Sequence, residues 1–346
     1  MTHVDSIRHR PGMYVGECNG HGVLQLVLEV VGNAFDQHLA GRCTRVDIAI
    51  ADEDTITIAD NGPGIPIDPH GDTTFLESVL TRRHDTATAD GHAPHVHLAL
   101  GGGGLAVVNA LSAQLTVVVV RDGASHRIVC REGRVVEPLL RAPTDASPGT
   151  RFTFRPDPTI FTTTRVPRLA LSERLEDLSF LAPGLRLRWS FEGDAAATQG
   201  LAGLVARDLG AALGPIAHGR GRVGDVDVEV AFAWSGDRHR DREPALHGFV
   251  NLGRTPLGTH VAGLLSALRT LVPRGVSLPS AALQRGLVAV VSVILPDVRF
   301  GNPTRDKLIT PEAQRAVAEV ARGALRAWAT AHPDALARVL EHAQRR

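Results

Sequence analysis

Residues 21–66 constrain the fold more than any other stretch of the chain. HGVLQLVLEVVGNAFDQHLA (21–40) sets Val23, Leu26, Val27, Val30, Val31, Ala34 and Phe35 at helical spacing, with Glu29, Asn33, Asp36 and Gln37 on another face. Two alternating runs follow, RVDIAIA and TITIAD, separated by the turn-like DED, and the second leads straight into NGPGIP. The pattern predicts an amphipathic helix whose polar side carries acids and amides, then a hairpin ending in a glycine-rich bend.

The 346 residues (36.8 kDa) leave room for two domains with real cores. Hydrophobic residues make up 43% and charged residues 21%, so neither a disordered nor a membrane chain fits. Lys plus Arg (37) equals Asp plus Glu (37), and no bulk positive field advertises nucleic acid. A local basic patch is still compatible with that balance. Cys18, Cys43 and Cys130 are scattered and lack metal spacing, as suits a reducing compartment rather than a disulfide scaffold or zinc site. With no signal-like start and no apolar run of spanning length, the expected address is the cytoplasm, without membrane partners. Lys307 is the sole lysine, a compositional bias that strips arginine richness of functional weight.

From Asp68 to Ala99 the chain is polar and histidine-rich (His84, His92, His95, His97), before GGGG and the helical run LAVVNALS. That reads as a mobile loop closing on a helix N-terminus. QLTVVVV, HRIVCREGRVVEP and TRFTFRP read as strands of one meander, and RLALSERLEDLSFLAPG as a helix. EGDAAATQGLAGLVARDLG lacks clear periodicity and marks the expected domain boundary, giving domains 1–200 and 201–346. The second is expected to run β, β, α, β, α: VDVEVAFAW, HGFVNL, THVAGLLSALRTLV, RGLVAVVSVIL and a long terminal helix.

Four elements carry chemistry together. Glu29 and Asn33 lie four residues apart, on one helix face. Asp60 ends a strand before Gly62 and Gly64; Gly101, Gly102, Gly103 and Gly104 open a helix; Thr150 begins a strand after Gly149. Glycine-rich entries to helices offer unpaired N–H groups to phosphate. A carboxylate such as Asp60 accepts a hydrogen bond from an exocyclic amine, and an amide oxygen such as that of Asn33 suits Mg²⁺. Glu29 can orient or deprotonate water. Each element has a blander reading: a solvated glutamate, a turn-capping aspartate, a flexible glycine joint. The loop histidines are irregularly spaced and do not predict a metal site.

RPGMYVG (10–16), EVVGNAFDQHLAG (29–41), DNGPGIP (60–66), GGGLAVVNALS (102–112) and PGTRFTF (148–154) resemble the ATPase region of the bacterial gyrase B and topoisomerase IV family, within the GHKL superfamily. RLEDLSFLAPG, VDVEVAFAW, GTHVAG, RGLVAVVSVILPD and PTRDKL extend the resemblance in order over nearly the whole chain, the last group resembling the transducer. It implies an α+β fold: a GHKL (Bergerat) ATP-binding α/β sandwich, then a transducer of ribosomal-protein-S5-like fold. It further implies ATP and Mg²⁺ as cofactors, with Glu29 as general base and Asn33 as Mg²⁺ ligand. Asp60 would read adenine, helped through water by Thr150, beside a turn of Gly62, Gly64, Ile65 and Pro66. Gly101 to Gly104 would cradle the triphosphate, and Arg127 would stand at the pocket mouth.

Departures qualify these roles. The family's GGxHGxG loop reads Leu98-Ala99-Leu100-Gly101-Gly102-Gly103-Gly104, and an acid–arginine pair becomes Gln37 and Pro63. The phosphate-sensing Gln-Thr-Lys reads Pro303-Thr304-Arg305, leaving Arg305 or Lys307 to reach the γ-phosphate. The N-terminal arm is nearly absent, so ATP-driven homodimer closure is expected to be weak. No cleavage domain or cleavage tyrosine is recognisable, so a gyrase A-like or cleavage-domain subunit, and DNA, are expected partners rather than parts. The expected function is Mg²⁺-dependent ATP hydrolysis of the kind that drives a type II topoisomerase. The alternatives are an ATP-binding switch with little hydrolysis, or a phosphotransferase.

Overall fold

The computed structural model describes residues 2–51, 54–82, 96, 98, 104–191, 193–196, 200–236, 244–273, 275–276, 278–302 and 304–344. The chain forms two compact units, Met1–Ala197 and Thr198–Arg346.

The first unit opens with α1 (His3–His9) and α2 (Gly12–Val15). Thr2 and Asp5 cap α1 reciprocally, each side chain bonding the other's backbone N–H. α3 (Gly20–Leu39) is the predicted amphipathic helix, capped by Asn19, whose side chain accepts from the His21 amide at 2.8 Å. Then come β1 (Arg45–Ala51), β2 (Thr55–Asp60), the small hairpin β3 (Pro69–His70) and β4 (Thr73–Thr74), α4 (Phe75–Thr81) and α5 (Gly104–Ala110). β5 (Ser112–Arg121), β6 (Ala124–Arg131), β7 (Arg134–Pro143), β8 (Gly149–Pro156), α6 (Arg168–Leu181), β9 (Arg186–Trp189) and β10 (Gly193–Ala196) complete it. The strand order is β10-β9-β1-β2-β8-β5-β6-β7, antiparallel except for β1 with β9.

Alternation along these strands puts Ile48, Ile56, Ile58, Val117, Val119, Phe152 and Phe154 on one buried face. The apolar stripe of α3, including Val27, Val30 and Phe35, is equally buried, and α3 packs on β2 and α5. HRIVCREGRVVEP is two strands rather than one. Glu132 and Gly133 take left-handed backbone (φ 49 and 83) and fold it into the β6–β7 hairpin. The meander order also fails, because β8 inserts between β2 and β5.

The second unit comprises α7 (Gly200–Asp208), β11 (Ala217–Val223), β12 (Val226–Trp234), β13 (Ala245–Val250), β14 (Gly253–Arg254), β15 (Leu257–Gly258) and α8 (Thr259–Ala267), followed by β16 (Leu287–Ile294), β17 (Lys307–Leu308), α9 (Pro311–Ala331) and α10 (Pro333–Gln344). Its sheet runs β11-β12-β16-β13-β14, and α8 supplies the crossover between the parallel pair β13 and β16. One sheet face and α8, α9 and α10 enclose the core, in which the Trp234 and Trp328 ring centroids lie 5.6 Å apart. β11 is an extra strand. Its inward positions are Ala217, Gly219, Gly221 and Val223, and a β-carbon at 219 would come within 2.7 Å of the Ala324 β-carbon. Helix α9 thus packs directly on backbone, and no apolar alternation advertises the strand. α7 arises in the aperiodic tract, where small residues hide the buried Leu201, Leu204 and Val205.

Candidate functional site: a glycine turn beneath helix α3

Asp60 is the last residue of β2 and pairs with Thr150 of β8, which pairs in turn with Val119 of β5. Directly opposed residues share a face, so Asp60, Thr150 and Val119 all point to the helix-covered side. Thr150 is buried, and its hydroxyl accepts the Ile65 amide at 3.3 Å, leaving its proton to donate. The Gly62 amide donates to Asp60 Oδ1 at 2.8 Å. Burial pushes the Asp60 carboxyl up to about 6, against the pull of the Gly62 and Thr150 amides. The turn tolerates no side chains where it is tightest. A β-carbon at Gly62 would meet Asp60 Oδ1 at 2.9 Å, and one at Gly149 would meet the Asp60 carbonyl at 2.2 Å. Gly64 has φ 79 and backs onto Val119 and the Val120 carbonyl. Ile65 and Pro66 are half-buried at the turn's exit.

Helix α3 runs over this turn. The Gln37 side chain lies 3.5 Å from the place of a Gly62 β-carbon, and Arg42 donates to Gln37 Oε1 at 3.0 Å. An amide–arginine contact thus lies beside the turn where the family has an acid–arginine pair. Glu29 and Asn33, both half-buried, follow back along the same face. From Gln37 to Glu29 the helix rises about 12 Å, so the polar face extends well past the turn. Asp36 Oδ1, on this face, accepts the Val96 amide at 2.7 Å.

Gly104 begins α5 with φ 59. Gly101, Gly102 and Gly103 lie outside the described residues, as do His84, His92, His95, His97 and Pro303. Arg127 pairs with Val118, one residue out of step with Val119, which puts it on the opposite sheet face from Asp60 and Thr150. There it is exposed and bonds Glu137. Its neighbour His126, buried and opposite Val119, is the β6 residue on the Asp60 face; burial and the Arg141 and Arg121 charges hold its imidazole below the usual range.

Two residues missed in the sequence hold the turn in place. Arg121 donates to the Gly64 carbonyl at 3.3 Å. Asn61 Oδ1 accepts the Thr44 and Arg45 amides at 2.9 and 2.8 Å, tying the turn to the start of β1. Arg121 sits in no motif, and Asn61, although inside DNGPGIP, has a role that only its hydrogen bonds to Thr44 and Arg45 reveal.

In the second unit, Arg305 has left-handed backbone (φ 58), and its carbonyl accepts the Thr255 hydroxyl at 3.1 Å. Its guanidinium lies 5.9 Å from the Phe300 ring centroid. Asp306 binds the side chains of Asn302 and Thr304, and its carbonyl accepts the Leu257 amide at 3.0 Å. Lys307 is exposed on β17, opposite Leu257. Among the described residues no cluster of three His, Cys, Asp or Glu could hold a metal, and no helix is long and apolar enough to cross a membrane.

A carboxylate at a glycine turn, a threonine beside it and an amide-bearing helix above define a nucleotide-binding sandwich of the histidine kinase-, DNA gyrase B- and HSP90-like ATPase type, whose family profile matches residues 18–160. The DNA gyrase B profile matches residues 205–346. The chain belongs to the DNA gyrase B family, as its GHKL ATPase region with the transducer that follows. The gyrase B 43K ATPase domain of Thermus thermophilus, solved with an aminocoumarin, superposes with a TM-score of 0.83 at 30% identity, covering 98% of this chain and 93% of that one. The topoisomerase IV ATP-binding domain of Francisella tularensis gives 0.81 at 25% identity, covering 99% and 96%. The chloroplast and mitochondrial DNA gyrase B of rice is 32% identical over 97% of this chain, and the DNA gyrase B of Synechocystis 34% over 98%. This chain spans 50% and 34% of the lengths of those two proteins.

Proposed function

We propose that this chain binds ATP with Mg²⁺ and hydrolyses it. The observation that carries the reading is Asp60: a carboxylate held by Gly62 N–H, paired with Thr150 and roofed by α3, kept in the site against a desolvation cost. Its remaining acceptor capacity suits the exocyclic amine of adenine, and the Thr150 hydroxyl suits a bridging water. Glu29, one turn before Asn33, takes a proton from the water attacking the γ-phosphate. Gly101 to Gly104 supply N–H groups to the phosphates, and Arg305 or Lys307 supplies the cation.

The donor set fits Mg²⁺. A single neutral oxygen, that of Asn33, with phosphates and waters completing the shell is the ligand balance this ion prefers. Bound there, the ion would neutralise phosphate charge; Asn33 would orient it, and Glu29 would accept the proton.

On this reading the chain is the ATP-driven module of a type II DNA topoisomerase assembly in the cytoplasm. It would work as a homodimer with a gyrase A-like or cleavage-bearing subunit on DNA. Calorimetry with a non-hydrolysable ATP analogue and Mg²⁺ tests the binding step: heat with the wild type and none with Asp60→Asn supports it, and equal heats overturn it. Phosphate release, followed with protein concentration and with DNA, separates a dimer-coupled ATPase from an ATP-binding switch.

A further inference from the structure

GTHVAG (258–263) caps and begins helix α8, and its first three residues are each tied to a neighbour. Gly258 has φ 123 and backs onto β17, where a β-carbon would meet the Leu308 carbonyl at 2.1 Å; Thr259 donates to the Thr310 carbonyl at 2.7 Å. His260 is fully buried. Its Nε2 faces the Thr255 carbonyl at 2.9 Å, and its Nδ1 meets no hydrogen-bond partner among the described residues. A carbonyl only accepts, so Nε2 carries the proton; burial pushes the imidazole down to about 4 and keeps it neutral. An acceptor left bare in a core costs stability, and a strand residue is given up to make room as well. A β-carbon at Gly248 would lie 2.6 Å from Nε2 and 2.3 Å from the Thr255 carbonyl oxygen.

The next link runs to Arg305. Thr255, itself buried, has one hydroxyl proton, and the Arg305 carbonyl at 3.1 Å is nearer to it than the Gly253 carbonyl at 3.4 Å. Arg305 needs such a tie. Its φ of 58 is left-handed, which for a residue with a β-carbon costs about as much as one neutral hydrogen bond contributes. Once the hydroxyl is gone, the peptide that follows Arg305 is free to rotate, and rotation turns the Cα–Cβ bond and the guanidinium away. Lys307 is held by other means, through the pairing of β17 with Leu257, whose amide also bonds the Asp306 carbonyl at 3.0 Å. We propose that His260 and Thr255 are positioning residues that fix the backbone of Arg305, and that Arg305 rather than Lys307 is thereby the cation presented to the γ-phosphate. The inference rests on the ATPase reading above.

Phosphate release and affinity for a non-hydrolysable ATP analogue with Mg²⁺, measured on full-chain variants, test this. Thr255→Val keeps the shape and removes the hydroxyl, Thr255→Ala removes it with less bulk, and Thr255→Ser keeps it. Valine and alanine should each lower kcat about tenfold, the scale of a charged group misplaced by a fraction of an ångström, with KM and analogue affinity within about twofold. Serine should stay near wild type. His260→Leu should fall in the same direction, and His260→Gln, which can still donate to the Thr255 carbonyl, should lose less. In an Arg305→Ala background the valine change should cost nothing further, whereas in a Lys307→Ala background its loss should persist. A hydroxyl with a merely structural role would give the same loss in both. Wild-type turnover in Thr255→Val and Thr255→Ala, a serine variant as slow as the valine one, or an undiminished loss in the Arg305→Ala background overturns the inference while hydrolysis by the wild type stands. A wild type that releases no phosphate overturns this inference together with the hydrolysis reading beneath it.

Discussion

Asp60 is predicted to destabilise the free protein, and its removal to stabilise it. Its carboxyl is raised from 3.8 to about 6, chiefly by desolvation. A raised carboxylate means that the folded state holds the proton more tightly than the unfolded chain. Stability is then lost as pH climbs from near 4 through 6, and the loss is complete above that. The gap between 3.8 and about 6 corresponds to about 3 kcal/mol at neutral pH. Asp60→Asn keeps an oxygen for the Gly62 amide but carries no charge to desolvate. In a ligand-free melt at pH 7 the variant should gain up to about 3 kcal/mol, at roughly 2–4 °C per kcal/mol for a unit of this size. The gain should shrink steadily below pH 6 and vanish near pH 4. Adding the ATP analogue should reverse the ranking, because only the wild type can bind it. An Asp60→Asn variant that melts at or below wild type at pH 7, or a difference indifferent to pH, would refute the assignment of Asp60 as a carboxylate kept in the site at a thermodynamic cost.

Three further outcomes follow from the same geometry. Glu29→Ala should cut turnover by about 10²–10⁴, the usual worth of a general base, while analogue affinity holds; steady-state phosphate release beside calorimetry checks both. Arg8 donates to the Ala110 carbonyl and to buried Asp157, each at 2.7 Å, closing the end of α5. Arg8→Met should cost about 3 kcal/mol in denaturant unfolding, since it strands a buried charge. Asp157 itself sits below the usual carboxylate range, held there by Thr159 and Arg8 against its burial, so its contribution persists at neutral pH and is lost only as acid titrates it. Finally, Arg305→Ala should lower turnover about a hundredfold and Lys307→Ala only a few-fold, the scale of losing one charge stabiliser at a transferring phosphoryl group; the opposite ranking in phosphate release would move the γ-phosphate contact to the lysine.

The sequence made some of this legible and hid the rest for identifiable reasons. α3 and the β1–β2 hairpin were readable because their apolar residues recur at 3.6 and 2 and each element buries one face. Strand β11 and helix α7 were not, since glycines and alanines let neighbouring elements approach without leaving a periodic trace. The sheet face that Arg127 takes was not legible, because a strand read alone has no register. A one-residue offset between β5 and β6 reverses every side chain, and the bulges between β6 and β7 do not undo it.

The two halves of the candidate site differ in the same way. The proposed base-reading turn is almost local: Asp60, Gly62 and Gly64 lie within five residues, and the backbone demands show directly as glycines. Its one distant member, Thr150, arrives through a single strand pairing. The proposed phosphate half draws on α3, the approach at Val96 and Leu98, and the start of α5, all far apart in sequence. A departure from a motif in that half cannot be judged where it stands. Leu98, in place of a family glycine, is buried beside Gly32 of α3, 66 positions earlier, a neighbour that its own stretch of sequence does not disclose. The reading of an active ATPase over an inert switch therefore turns on pairs of residues, and double substitutions are the measurements that can decide it.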